Sequence, residues 1–302
     1  MVGRALRVIL ESWMSTIGFA LVAFWVVAAL GADLLAPFPP NATLAPLQRP
    51  LADAIIPAST MLHGRPAAEV CAAAGPGMAD CGTFWLGTDV IGRDILSRIL
   101  HGARTVLFYA PLATLLAYVV GASMGLLAGY RGGWVDDALS FVSNVILSFP
   151  VLVLYVIIIS VVGSSGANIL VAVVFASAPG VMRIVRGLTM DIRNRDYVMA
   201  ARTRGEPTWR ILFVEILPNA RGPLIVDFCV RIGYVTITIG VLGFLGLGLP
   251  PPDPDWGGMV NETRQMAMVF PHMALWPCVA ITSLVLGFNL LADGLNESAM
   301  RD

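Results

Sequence analysis

Asp-Tyr-Val-Met-Ala-Ala-Arg-Thr-Arg-Gly-Glu-Pro-Thr-Trp-Arg-Ile-Leu-Phe-Val-Glu-Ile-Leu-Pro-Asn, residues 196–219, is the longest polar, arginine-bearing interruption in the apolar C-terminal two-thirds of the chain. Gly205 suits the left-handed stop of a helix ending near Arg204, and Pro207 suits the first turn of a second helix that ends before Pro218. Two short helices around a glycine turn are expected. Eight of the 19 arginines lie between Arg183 and Arg221, so the positive-inside rule assigns this stretch to the cytoplasm.

Around it the chain reads as an integral membrane protein. Of 302 residues 57% are hydrophobic and 13% charged, with a mean hydropathy of +0.78, against about 25% charged in soluble domains. Net charge is −1, which offers no global basic field for nucleic acid. All basic residues are arginine. A phosphate-binding loop needs a lysine to reach the terminal phosphates, so the chain is not a P-loop ATPase, and lysine-based covalent chemistry is excluded too. His63, His101 and His272 are far apart and no Cys-x-x-Cys occurs, so no metal site is expected. No His-Glu-x-x-His or Gly-x-Ser-x-Gly motif supplies an enzyme's constellation.

The expected fold is all-α with six spans. Residues 1–35 form a cytoplasmic tail and a first span, which Arg4 and Arg7 precede and which is uncharged between Glu11 and Asp33. It is read as a retained anchor, not a cleaved signal. Residues 36–104 are an extracytoplasmic loop rich in proline, closing in an interfacial helix. There Ile91, Ile95, Leu96, Ile99 and Leu100 oppose Arg93, Asp94, Ser97 and Arg98. The permease-like core covers 105–294, with spans near 105–130, 138–162, 169–187, 223–249 and 272–292 and a cytoplasmic loop at 188–222. A cytoplasmic tail, 295–302, ends the chain. Gly163-Ser-Ser-Gly-Ala-Asn168 divides the third span from the fourth, and Pro150 and Pro179 should kink them.

Within this frame three sets of residues are candidates. Gly121, Gly125 and Gly129 share one helix face, and Gly240 and Gly243 recur in the fifth span, both suited to close helix approach; a substrate-facing role for the first set is the alternative. Asp227 and Arg231 are the charges inside a predicted span, four residues apart and about 9 and 15 Å beyond Arg221. They are either functional or a mutually satisfied pair. Cys71 and Cys81 are bridged if their segment faces an oxidising compartment; otherwise they are two free thiols. Trp256 reads as an interfacial anchor, before a helix-compatible stretch around 259–268.

Six spans with a helix pair between the fourth and fifth, bearing Ala200-Ala201-x-x-x-Gly205 and Leu217-Pro218, resemble the permease subunits of binding-protein-dependent ABC importers. Leu86-Gly-Thr-Asp-x-x-Gly-Arg-Asp-x-x-Ser-Arg98 and Pro251-Pro-x-Pro-x-Trp-Gly257 are similar to the C-type permease of the dipeptide, oligopeptide and nickel importers. The resemblance implies a type I importer permease fold whose loop couples to a cytoplasmic ATPase through Asp196, Tyr197, Met199, Ala200, Ala201, Gly205, Leu217 and Pro218. Met199 stands where the family usually has glutamate, and Glu215 where isoleucine is common.

The implied protein is non-catalytic and binds no cofactor itself; ATP and Mg belong to partner ATPase subunits. Its expected partners are a second, related permease in a hetero-dimer, the ATPases, an extracytoplasmic binding protein and the lipid bilayer. Both termini would be cytoplasmic, in the plasma membrane of a prokaryote. The implied substrate class is peptide, with nickel or another small solute as the alternative within the family and a secondary transporter as the alternative outside it.

Overall fold

In the computed structural model, residues 12–62, 64–250 and 252–299 are described. The expected N-terminal tail and the last residues of the C-terminal tail lie outside them. The fold is mainly helical, as expected. Among the described residues five helices are long and apolar enough to cross a membrane, and a pair of helices bent at 87° makes six if the pair is one span. The chain divides into two compact units.

The elements, in chain order, begin with α1 (Trp13–Leu30) and the single turn α2 (Ala32–Leu35). Then follow β1 (Ala52–Pro57), β2 (Met61–Leu62), β3 (Arg65–Pro66), α3 (Ala67–Val70), β4 (Ala72–Gly75) and β5 (Met78–Phe84). Next come α4 (Ile95–Arg131), α5 (Gly133–Leu147), α6 (Val151–Val162) and α7 (Gly166–Ile192). After them come α8 (Asp196–Thr203), α9 (Thr208–Arg210), α10 (Arg221–Phe244), α11 (Trp256–Thr263) and α12 (His272–Ala299).

One unit comprises Met1–Ala20, Tyr109–Val235 and Leu286–Asp302. In it α4 lies against α7 through the glycine face. A Cβ at Gly125 would come 2.6 Å from the Met182 carbonyl oxygen, and one at Gly129 2.7 Å from that of Arg186. Any side chain would separate the helices. Arg186 closes the cluster from α7, with Nε and Nη2 donating to the two oxygens of Asp136 at 2.5 and 2.6 Å. The third span is not the single kinked helix expected at 138–162. Pro150 cannot donate to the preceding turn, and α5 and α6 meet at 87°. Around Pro179, by contrast, α7 remains one helix.

The other unit comprises Leu21–Phe108 and Thr236–Val285. The proline-rich loop is more regular than the sequence suggested. Strands β1, β5 and β4 form an antiparallel sheet in the order β1-β5-β4, and β2 pairs with β3. Alternation in β1 turns Ala54 and Ile56 inward onto Phe38, Leu44, Leu62 and Phe84. Cys71 and Cys81 are joined by a disulfide beside this core. The interfacial helix is not found. Residues up to Asp94 form turns, with a bridge between Thr88 and Asp94, and the helix that starts at Ile95 runs unbroken through the second span. Burial does not divide its start into a polar and an apolar face: Ser97 and Arg98 are buried together with Ile95, Ile99 and Leu100.

Candidate functional site

The 196–219 loop folds as two short helical pieces with Gly205 between them at φ +75°, the left-handed region expected of a helix stop. The Gly205 N–H donates to the Arg202 carbonyl, and the Glu206 N–H to that of Ala201, which closes the end of α8. The second piece departs from a regular α-helix. After α9 it widens to a π-helix over Ile211–Ile216 and ends in a 3-10 turn, Leu217–Asn219, where Pro218 cannot continue the ladder.

One side of the pair is packed. Val198 and Ala201 from α8 meet Ile211, Leu212 and Ile216, and the cluster continues to Val185 and Leu126. The alanine pair is thus split: Ala201 is fully buried, where a larger residue would part the two pieces, while Ala200 faces out. The other side is bare. Tyr197, Met199, Trp209, Phe213 and Val214 are exposed, interleaved with exposed Arg202, Arg204 and Arg210. Arg210 donates to Glu206 at 2.9 Å, and Arg204 approaches the same carboxylate at 3.9 Å; exposed pairs of this kind add little stability. Asp196 is exposed in the first turn of α8. Leu217 and Pro218 line a cavity of about 410 Å³ with Tyr118, Arg221, Leu224 and Phe228.

The intramembrane charges meet. Arg231 Nε donates to Asp227 Oδ2 at 2.6 Å, and the Tyr118 hydroxyl donates to the same oxygen. Arg231 also passes close to Gly180, where a Cβ would lie 3.2 Å from Nη1. Tyr118 was not singled out in the sequence. An aromatic in an apolar span carries no signal until its partner is located.

The two motifs of the other unit converge on one another. Asp89 accepts from the Ile91 and Arg93 amides at 2.9 Å and pairs with Arg93 Nε at 2.6 Å. Arg93 also pairs with Glu262, and Arg98 reaches the same carboxylate at 3.5 Å. Asp94 Oδ2 caps α4 by accepting from the Ser97 amide and hydroxyl at 2.8 and 2.6 Å.

Asp255 caps α11 through the amides of Gly257 and Gly258 at 3.3 and 3.1 Å. Burial pushes its carboxyl up to about 6. Gly243 and Gly248 leave room for this carboxylate, and a Cβ at Gly243 would also come 2.8 Å from the Gly258 nitrogen of α11, so Gly243 serves both the carboxylate and the close helix approach expected of it. A Cβ at Gly240 would come 3.1 Å from Ile281 Cδ1. Trp256 is not an interfacial anchor. It is wholly buried, stacks edge-on with Trp25 and donates from Nε1 to the Ile99 carbonyl at 3.0 Å.

Residues 121–299 match the family described as binding-protein-dependent transport system inner membrane component. The chain is 43% identical over 214 residues to a glutathione transport system permease protein of Pectobacterium atrosepticum, covering 71% of each chain. It is 38% identical over 214 residues to a dipeptide transport system permease protein of Alkalihalophilus pseudofirmus, covering 71% of this chain and 70% of that one. Among solved structures, the MetNI methionine ABC transporter in inward-facing conformations matches with a TM-score of 0.52 at 16% identity. That match covers 66% of this chain and 96% of the other, and it speaks for the fold.

Proposed function

The chain belongs to the family of binding-protein-dependent transport system inner membrane components, and from that premise we propose that it is the permease subunit of an ATP-driven importer of short peptides. The observation that carries the coupling half of this reading is the two-sided loop. Its inner side is locked to the transmembrane helices by Ala201, Ile211 and Ile216, and its outer side leaves Met199, Trp209 and Phe213 bare among arginines. Solvated exposure of so many large apolar side chains in one short loop marks a protein interface.

The occupant of that interface is an ATP-hydrolysing subunit, since this chain has no phosphate-binding loop of its own. ATP and Mg stay on that subunit. Closure of two ATPase subunits moves the loops, and a loop packed on α4 and α7 transmits the movement to the spans. The loop is on the cytoplasmic face, both termini are cytoplasmic, and a second, related permease supplies the other half of the pathway. An extracytoplasmic binding protein delivers the solute. The peptide class rests on the names of the glutathione and dipeptide relatives.

Uptake of a labelled dipeptide into proteoliposomes tests the proposal. Uptake requires ATP, the ATPase subunits and the binding protein together. Uptake by this chain with its partner permease alone, driven by an ion gradient, contradicts it.

A further inference from the structure

Arg183 is exposed on α7, nine residues before its last residue, Ile192, and so about 14 Å from the helix end. A helix of 27 residues is about 40 Å long and exceeds a hydrocarbon core of about 30 Å by about 5 Å at each end. The Arg183 backbone is therefore about 9 Å inside the core. A cation held there faces water or a polar cavity, and such residues mark solute pathways.

Its surroundings are built for an oxyanion. Arg183 lines a cavity of about 330 Å³ with Ser140, Ser143, Asn144, Met182 and Arg186. Among the described residues no carboxylate pairs with Arg183; its Nη2 donates to the Asn144 side-chain oxygen at 3.1 Å. The acid that pairs with Arg186, the other arginine of this cavity, is already engaged: Asp136 is gripped by Arg186 at 2.5 and 2.6 Å and accepts from Ser140 at 3.1 Å. Ser143 is only 2% exposed and its hydroxyl has no hydrogen-bond partner. A buried hydroxyl without an acceptor is costly, and an arginine fork beside it matches a planar carboxylate.

We infer that this pocket is a station on the translocation path that holds the C-terminal carboxylate of the peptide through Arg183 and Ser143. This rests on the peptide-permease reading. A lipid phosphate is the other source of an oxyanion, and headgroups lie at the helix ends, not 9 Å inside the core.

The test uses the complete transporter in proteoliposomes and a dipeptide carrying a diazirine in its C-terminal residue. In the wild type the photolabel maps to residues 140–144 and 182–186. Arg183→Gln lowers both that label and ATP-driven uptake on the order of tenfold, the loss expected of a charge-assisted hydrogen bond. Arg183→Lys, which keeps the charge, loses less, and co-purification of the subunits reports assembly. Ser143→Ala lowers the label severalfold without altering any charge, which keeps the test decisive if the arginine variant fails to assemble. Label unchanged in both Arg183→Gln and Ser143→Ala overturns the proposal. So does unchanged dipeptide label together with a phospholipid that native mass spectrometry finds on the wild type and not on Arg183→Gln. A wild-type complex that hydrolyses ATP but takes up no dipeptide removes the peptide reading itself, before any variant is compared.

Discussion

The loop at 196–219 and the paired motifs at 86–98 and 251–257 are written in much the same residues, arginine, acid, glycine and one tryptophan, yet they fold to opposite ends. In the paired motifs Trp256 is fully buried and Arg98 only 3% exposed, and Asp89 and Glu262 stand beside the arginines. In the loop Trp209 is 63% exposed, Arg204 and Arg210 share the single carboxylate of Glu206, and the exposed Arg202 lies over the Tyr130 ring without an acid in the ion pairs of the described residues. The difference is one of available partners. Where acids and backbone amides are at hand, polar residues close on themselves and stiffen the scaffold; where they are lacking, the same residues wait for another surface.

Replacing the two tryptophans should separate the regions most widely. Trp256→Ala should cost about 3–5 kcal/mol of stability, as for a buried aromatic, measured by denaturation of the purified chain in detergent. Trp209→Ala should stay within about 0.5 kcal/mol while reducing co-purification of the ATPase. Equal destabilisation by the two would erase the distinction.

A smaller effect comes from Asp255. Its carboxyl titrates near 6 in the fold and near 4 in an unfolded chain. A raised acid binds its proton more tightly when folded, so this group favours the folded state most below about pH 4, and that advantage is lost as pH rises to about 6. The linkage amounts to about 3 kcal/mol. Asp255→Asn keeps an acceptor for the α11 cap and should remove this slope, read from thermal unfolding between pH 4 and 7; a slope that persists would move its origin elsewhere. Gly205→Val should cost only about 1–2 kcal/mol of stability, the strain of a left-handed backbone, because nothing lies within 4 Å of the position. Its larger consequence should be ATP hydrolysis without uptake, and normal uptake by an assembled complex would contradict a role for the turn.

Much of this was legible in the sequence because charge and hydropathy act through solvent. The spans, the loop and the Gly205 turn follow from uncharged runs, arginine clustering and a glycine between two helical patterns. What was not legible depends on partners distant in sequence. Trp256 read as an interfacial anchor because nothing near it reveals Trp25 or the Ile99 carbonyl. The segment before α4 read as an amphipathic helix because its period is helical, but turns that bury Asp89 and Asp94 override it. Gly243 packs against the backbone of α11 as its pattern suggested, but its second role, making room for the Asp255 carboxylate, carried no signal in the sequence. Tyr118 could not be found without knowing that α4 meets Asp227.

The most direct test of the central claim places a photo-crosslinking amino acid at Trp209 in the assembled transporter. The account predicts an adduct between this chain and the ATP-hydrolysing subunit, mapped to residues 196–219 on this side. Adducts formed only with lipid, with the ATPase still co-purifying in full, would contradict it.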